Sequence, residues 1–169
     1  MKIETERLVL KSIDESHIED ILKIRSNEVV NQFVKRIPPK TNYDALDYIL
    51  TIKKRVQNNE SLNWGISYKN QQNLIGTICL WNFSDDRTEA EVGYELLPDY
   101  HRNGIMSEAL KAVLKFGFNE LYLTEILAFT NKFNENSKSL LLKYQFILEE
   151  GRADEGFPEN LVFSLKKNM

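Results

Sequence analysis

The residues best suited to chemistry lie in one stretch, Glu91-Val92-Gly93-Tyr94-Glu95-Leu96-Leu97-Pro98-Asp99-Tyr100-His101-Arg102-Asn103-Gly104-Ile105-Met106-Ser107-Glu108-Ala109. It reads as a strand, a loop made basic by Arg102 beside His101, a glycine, and a strong helix. The start of a helix carries unpaired N–H groups and the positive end of its peptide dipoles, an arrangement suited to a phosphate. Gly104 lets the backbone take a positive φ or approach an anion closely. The same residues also make an ordinary tight turn into a helix, and the stretch alone leaves both readings open. Other familiar devices are missing from the sequence: it contains no G-x-x-x-x-G-K-[ST], no G-x-G-x-x-G and no G-x-S-x-G. The only two histidines, His17 and His101, have no partner at metal-ligand spacing and read as surface residues, so no metal is expected.

Around this stretch the sequence supplies the elements that must position it. Arg7 to Ile13 is a short β-branched run and predicts a first strand. Ser12 with Glu15 has capping-box spacing, and Ile18, Ile21 and Leu22 follow at helical intervals. Pro38-Pro39 interrupts. Thr41 and Asp44 can cap a second helix whose apolar stripe is Ala45, Ile49, Ile52 and Val56. Three strands follow, at Leu62 to Tyr68, Leu74 to Trp81 and Ala90 to Leu97. A helix from Gly104 to Phe118, a strand from Thr124 to Thr130 and a helix from Asn134 to Tyr144 come next, then strands at Phe146 to Leu148 and Leu161 to Leu165. The order βααβββαβαββ predicts an α+β (mixed α/β) fold with about seven strands and about four helices, in a single domain over residues 1–169. Trp64, Trp81, Phe83 and Tyr94 give the strands a dense aromatic set, mostly core, with one or two free to line a channel.

Composition narrows the function. Apolar residues are 42% and charged residues 28% of the chain, ordinary for a globular protein. The net charge of −3, from 22 Lys+Arg against 25 Asp+Glu, argues against nucleic-acid binding, and the short basic groups Lys53-Lys54-Arg55 and Lys166-Lys167 read as solvated surface. No apolar run approaches the ~20 residues that cross a bilayer. The N-terminus has no apolar secretory segment, and Cys79 is the only cysteine, so the expected location is the cytoplasm.

The wording of the motifs carries a resemblance. Leu96-Leu97-Pro98-Asp99-Tyr100 followed by His101-Arg102-Asn103-Gly104-Ile105-Met106 resembles the acetyl-CoA loop of the GNAT superfamily of N-acetyltransferases, [Q/R]-x-x-G-x-[G/A]. His101 stands where Gln or Arg is usual, and Met106 replaces a small residue. Asn134-Glu135-Asn136-Ser137 through Phe146 is similar to N-x-x-S-x-x-L-L-x-K-x-G-F, with Gln145 in the glycine slot. Thr5-Glu6-Arg7-Leu8-Val9-Leu10 resembles the RimJ/RimL branch, which acetylates ribosomal-protein N-termini.

The resemblance implies a mostly antiparallel twisted sheet and direct transfer of an acetyl group from acetyl-CoA to a primary amine, without a metal. It implies that Leu96, Leu97, His101, Arg102, Asn103, Gly104, Ile105, Met106 and Asn134 hold the cofactor. Glu91 matches the acidic residue of A-E-x-G-Y and is the candidate base, with Glu95 or a water chain as alternatives. The tyrosine that many relatives carry in the last helix falls at Leu141, and the RimL-like pattern offers Ser137 as the donor to the departing sulfur. Tyr144 reads as core. The expected acceptor is a protein N-terminal α-amine. A polyamine or antibiotic amine and a non-catalytic acyl-CoA-binding module are the alternatives, and a monomer or a homodimer is compatible with the sequence.

Overall fold

Eight strands form one sheet: β1 (Ile3–Glu4), β2 (Leu8–Lys11), β3 (Ser61–Tyr68), β4 (Gly76–Trp81), β5 (Glu89–Leu96), β6 (Glu125–Asn131), β7 (Ile147–Leu148) and β8 (Asn160–Lys166). The structure, a computed structural model, describes residues 1–168. Among the described residues five α-helices accompany the sheet: α1 (Ile18–Ser26), α2 (Glu28–Asn31), α3 (Asn42–Gln57), α4 (Ile105–Asn119) and α5 (Glu135–Lys143). Strand order is β1-β2-β3-β4-β5-β6-β8-β7, antiparallel at every junction except β5 against β6. The α+β class is as expected. The eighth strand is β1, because the N-terminal run folds back as a hairpin with Ile3 opposite Leu10. The fifth helix is the single turn α2, whose start is capped by Asn27 Oδ1 accepting from the amides of Val29 and Val30.

Each face of the sheet buries its own cluster. On one side α4 sets Ile105, Met106, Ala109, Leu110, Val113 and Leu114 against Leu8, Leu10, Trp64, Ile66, Ile78, Leu80 and Val92. Full burial of each Leu or Ile stabilises by about 1.5–3 kcal/mol. On the other side, Ile21 and Ile24 of α1 meet Ala45, Ile49 and Ile52 of α3 with Leu74 and Leu97. Val56, the last of the predicted stripe, is exposed at the end of α3. Thr41 and Asp44 close the expected capping box, each side chain accepting the other's backbone N–H.

The first helix starts differently from the prediction. Asp14, not Ser12, is the cap of a 3-10 turn over Glu15–His17, and the His17 ring nitrogen Nδ1 accepts from the Asp14 amide at 3.2 Å. The box therefore closes on an imidazole, and His17 is buried, not at the surface.

The site depends on one junction. β5 pairs β4 from Glu91 opposite Trp81 to Leu96 opposite Gly76. Against β6 it pairs only at Glu89↔Glu125, Ala90↔Ile126 and Glu91↔Leu127. Beyond Glu91 the two parallel strands part, and the edge of β5 that faces β6 has no ladder partner.

Candidate active site

A cavity of about 500 Å³ opens where β5 and β6 part. Successive residues of a strand point to opposite faces, so Glu91 and Gly93 belong to one side of the sheet and Val92 and Tyr94 to the other. All four line the cavity. The gap in the ladder therefore makes a passage through the sheet. On the Glu91 side it is walled by Phe33, Val34, Lys35, Asp154 and Phe157, and on the Tyr94 side by Asn134 and Ser137. The two loops at the mouth meet with the Lys35 ammonium 5.4 Å from the centre of the Phe157 ring.

Burial in this passage pushes the Glu91 carboxyl up to about 7, with the charge of Asp154 adding to the rise and a hydrogen bond from Asn82 opposing it. That bond is long, 3.5 Å from Asn82 Nδ2 to Glu91 Oε2. A carboxylate kept with few partners and a pKa near neutrality suits a general base. Glu95, the alternative, is engaged elsewhere: its Oε1 accepts from Arg36 at 2.6 Å and from Arg25 at 3.4 Å, tying β5 to the segment after α2 and to α1.

On the opposite side, Asn134 caps α5 by accepting from the Ser137 amide at 3.1 Å, and this places Ser137 at the cavity wall. The Ser137 hydroxyl lies 2.7 Å from Tyr94 Oη. Burial lifts the Tyr94 phenol to about 12, so it keeps its proton at neutral pH. The Tyr94–Ser137 hydroxyl contact is the feature of the site that sequence reasoning missed. An aromatic residue at strand period reads as core, and nothing along the chain shows that residue 94 meets residue 137. Leu141, in the usual tyrosine slot, is fully buried. Tyr144 is not simple core, because its hydroxyl donates to the Ser107 carbonyl at 2.7 Å and ties the end of α5 to the first turn of α4. Gln145 follows at φ 64, the left-handed region that the family's glycine takes without strain.

The loop before α4 delivers the expected turn. Gly104 caps the helix at φ 71 with no side chain on the terminal amides. The N–H groups of Ile105, Met106 and Ser107 have no acceptor among the described residues. A Cβ on Gly104 would stand in open space apart from Arg7 Nη2 at 3.4 Å. Arg102 and Asn103 are exposed beside it. Free amides at a helix start fit a pyrophosphate, and the unpaired edge of β5 fits an amide-bearing chain, so the residues present suit coenzyme A.

Three of the residues expected at the cofactor also have structural contacts of their own. His101 Nε2 donates to the Leu96 carbonyl at 2.9 Å and closes the loop back on the end of β5. Leu97 donates its amide to Ile75, accepts at its carbonyl from Tyr100, and is buried in the α1–α3 cluster. Met106 turns its side chain into the core, which is why a long residue is tolerated where the family prefers a small one.

Comparison with known proteins agrees with this geometry. Residues 7–147 match the family model described as the acetyltransferase (GNAT) domain. The uncharacterised N-acetyltransferase YoaA of Bacillus subtilis (strain 168) is 32% identical, over 98% of this chain and 96% of its own. A structure provisionally named a ribosomal-protein-serine acetyltransferase, from Vibrio cholerae, superposes with a TM-score of 0.85 at 25% identity, covering 99% of this chain and 98% of that one. RimL, described as a ribosomal L7/L12 alpha-N-protein acetyltransferase in complex with coenzyme A, shares the fold with a TM-score of 0.84 at 17% identity, over 98% of each chain. An uncapped helix start, a parted strand pair and a poised carboxylate thus meet in a chain that belongs to the GNAT acetyltransferase family, an N-acetyltransferase that moves the acetyl group of acetyl-CoA to an amine.

Proposed function

We propose that the acceptor is a protein N-terminal α-amine, that Glu91 takes its proton, and that Ser137 with Tyr94 serves the departing sulfur. The observation that carries this is Glu91, held at about 7 in the gap between β5 and β6. An α-amine has a pKa of about 7.7–8.0, whereas an alkylamine such as lysine lies near 10.4. A base at about 7 is nearly matched to the first, but it is poorer by about 2.5 further pKa units, roughly 300-fold, against the second. Glu91 and Asp154 also line the cavity, with Glu159 beside them paired to Lys132 at 2.6 Å, against one lining cation, Lys35, which favours entry of the acceptor in its ammonium form. The structural relatives described as ribosomal-protein acetyltransferases, the Vibrio cholerae protein and RimL, support the same reading.

Acetyl-CoA, when bound, supplies the acetyl group as a thioester. The turn from Arg102 to Ser107 anchors its phosphates through backbone amides, and Asn134, whose Oδ1 is spent on the cap, keeps its Nδ2 to donate. The Glu91 carboxylate accepts the acceptor's proton on one side of the sheet. Ser137 Oγ donates a hydrogen bond to the sulfur on the other, oriented by Tyr94 Oη.

The test is coenzyme A release at pH 7 with three acceptors: a peptide with a free N-terminus, the same peptide Nα-blocked but carrying lysine, and spermidine. The free N-terminus should exceed both others at least tenfold in kcat/KM, with the gap narrowing as pH rises. Preference for the polyamine at pH 7 would overturn the α-amine assignment.

A second expected result concerns Ser137. A thiolate of pKa near 8.5 leaves readily, so losing one hydrogen bond should cost about 1–2 kcal/mol, roughly 5- to 30-fold in kcat. Ser137→Ala should show that loss with KM for acetyl-CoA little changed. Tyr94→Phe should match it, and the double variant should lose little more. Mass spectrometry of enzyme quenched with acetyl-CoA alone should find no acetyl group on Ser137. A trapped acetyl-serine would replace direct transfer by a covalent route.

A further inference from the structure

The N-terminal hairpin makes an unexpected contact with the turn at Gly104. Arg7 Nε donates to Glu108 Oε2 at 2.7 Å, and the Arg7 backbone amide donates to Glu108 Oε1 at 2.8 Å. Thr5 Oγ1 also donates to Glu108 Oε1, at 2.5 Å. Arg7 Nη1 reaches the Asn103 carbonyl at 2.9 Å. Asn103 lies between Arg102 at φ 61 and Gly104 at φ 71, two left-handed residues that local preference alone does not hold for a residue such as arginine.

Glu108 sits in the first turn of α4. A carboxylate there is stabilised by the helix dipole, but left bare it repels any second anion brought to the same helix start. Arg7 cancels that charge at contact distance. Its remaining nitrogen, Nη2, has no hydrogen-bond partner among the described residues and stands 3.4 Å from where a Cβ on Gly104 would lie, beside the free amides.

We infer that Arg7 is a positioning residue for the phosphates of coenzyme A, holding the Arg102–Gly104 turn in its anion-receiving shape, neutralising Glu108 and offering Nη2 to the anion. Thr5 and Glu108 orient Arg7. This rests on the reading that the pyrophosphate lies at the Gly104 turn.

Calorimetry of coenzyme A binding to Arg7→Met, Arg7→Lys and Gly104→Val, beside kcat/KM with acetyl-pantetheine as a donor lacking the nucleotide phosphates, separates the possibilities. Arg7→Met should weaken coenzyme A binding about 10- to 100-fold, the range of a lost charge-assisted hydrogen bond, and leave acetyl-pantetheine turnover within about twofold of wild type. Arg7→Lys keeps the stem and the charge but loses the fork, so it should fold as wild type and still bind coenzyme A several-fold more weakly. Equal losses with both donors, or full affinity in Arg7→Lys together with Arg7→Met, would leave Arg7 a purely structural tie and overturn the inference. Weak binding by Gly104→Val with normal binding by Arg7→Met would overturn it while sparing the site. Normal binding by Gly104→Val would instead remove the site on which it rests.

Discussion

Glu91→Gln should lower kcat/KM by about 10- to 1000-fold below pH 7, the range expected when a positioned base is lost. The pH dependence carries the diagnosis. In the wild type, Glu91 becomes a carboxylate as pH rises through about 7, so activity should climb to a plateau there. The glutamine variant has no such group and can use only amine that has already lost its proton. Its rate should keep rising toward the amine's own pKa, so the gap to wild type is widest at low pH and closes at high pH. Stability should move the other way. Glu91 titrates higher folded than unfolded, so its ionisation opposes folding: the cost is absent below about pH 4.5, grows between there and pH 7, and is complete above. Removing the carboxylate should therefore raise the Tm at pH 8 and change it little at pH 4.5. A pH–rate profile identical to wild type would return Glu91 to a structural role.

Gly104→Val should weaken acetyl-CoA binding by more than tenfold while the far-UV dichroism stays native. The φ of 71 at this position is strained for any side chain and worst for a β-branched one, at a cost of about 1–3 kcal/mol. The turn can relieve that strain only by moving the amides of Ile105 to Ser107 off their common target. The added methyls also enter the open space beside Arg7, where the anion would sit. Unchanged affinity by calorimetry would show that the phosphates bind elsewhere.

Much of the fold was legible because apolar periodicity states it directly. The α4 face from Ile105 to Val113, the α3 stripe through Ile52 and the near-continuous run of β4 each carry their burial in the order of residues. The parting of β5 from β6 was not legible. Val92 to Leu96 spells the same strand whether its far edge is paired or free, and the pairing depends on where β6 diverges. The carboxylate at 91 could be named from its motif, but its pKa could not, because that value comes from the walls around it. Long-range polar contacts left no trace either: Tyr94 with Ser137 is separated by 43 residues, and Arg7 with Glu108 by 101. His17, expected at the surface, is buried for a related reason. Both imidazoles serve as local hydrogen-bonding pieces of the backbone, at Asp14 and at Leu96, a use that ligand spacing does not register.

Cys79 lies on β4 opposite Gly93, one strand in from the passage, and a Cβ on that glycine would stand 3.2 Å from its sulfur. Burial pushes its thiol up to about 12. Only a thiolate attacks a disulfide, and at neutral pH a thiol of that pKa is ionised in about one molecule in 100,000. The reaction releases free coenzyme A, itself a thiol, and Cys79 is the chain's single cysteine. Exchange of this sulfur with oxidised coenzyme A or glutathione should therefore be slow, and treatment of the enzyme with either disulfide should leave its mass unchanged.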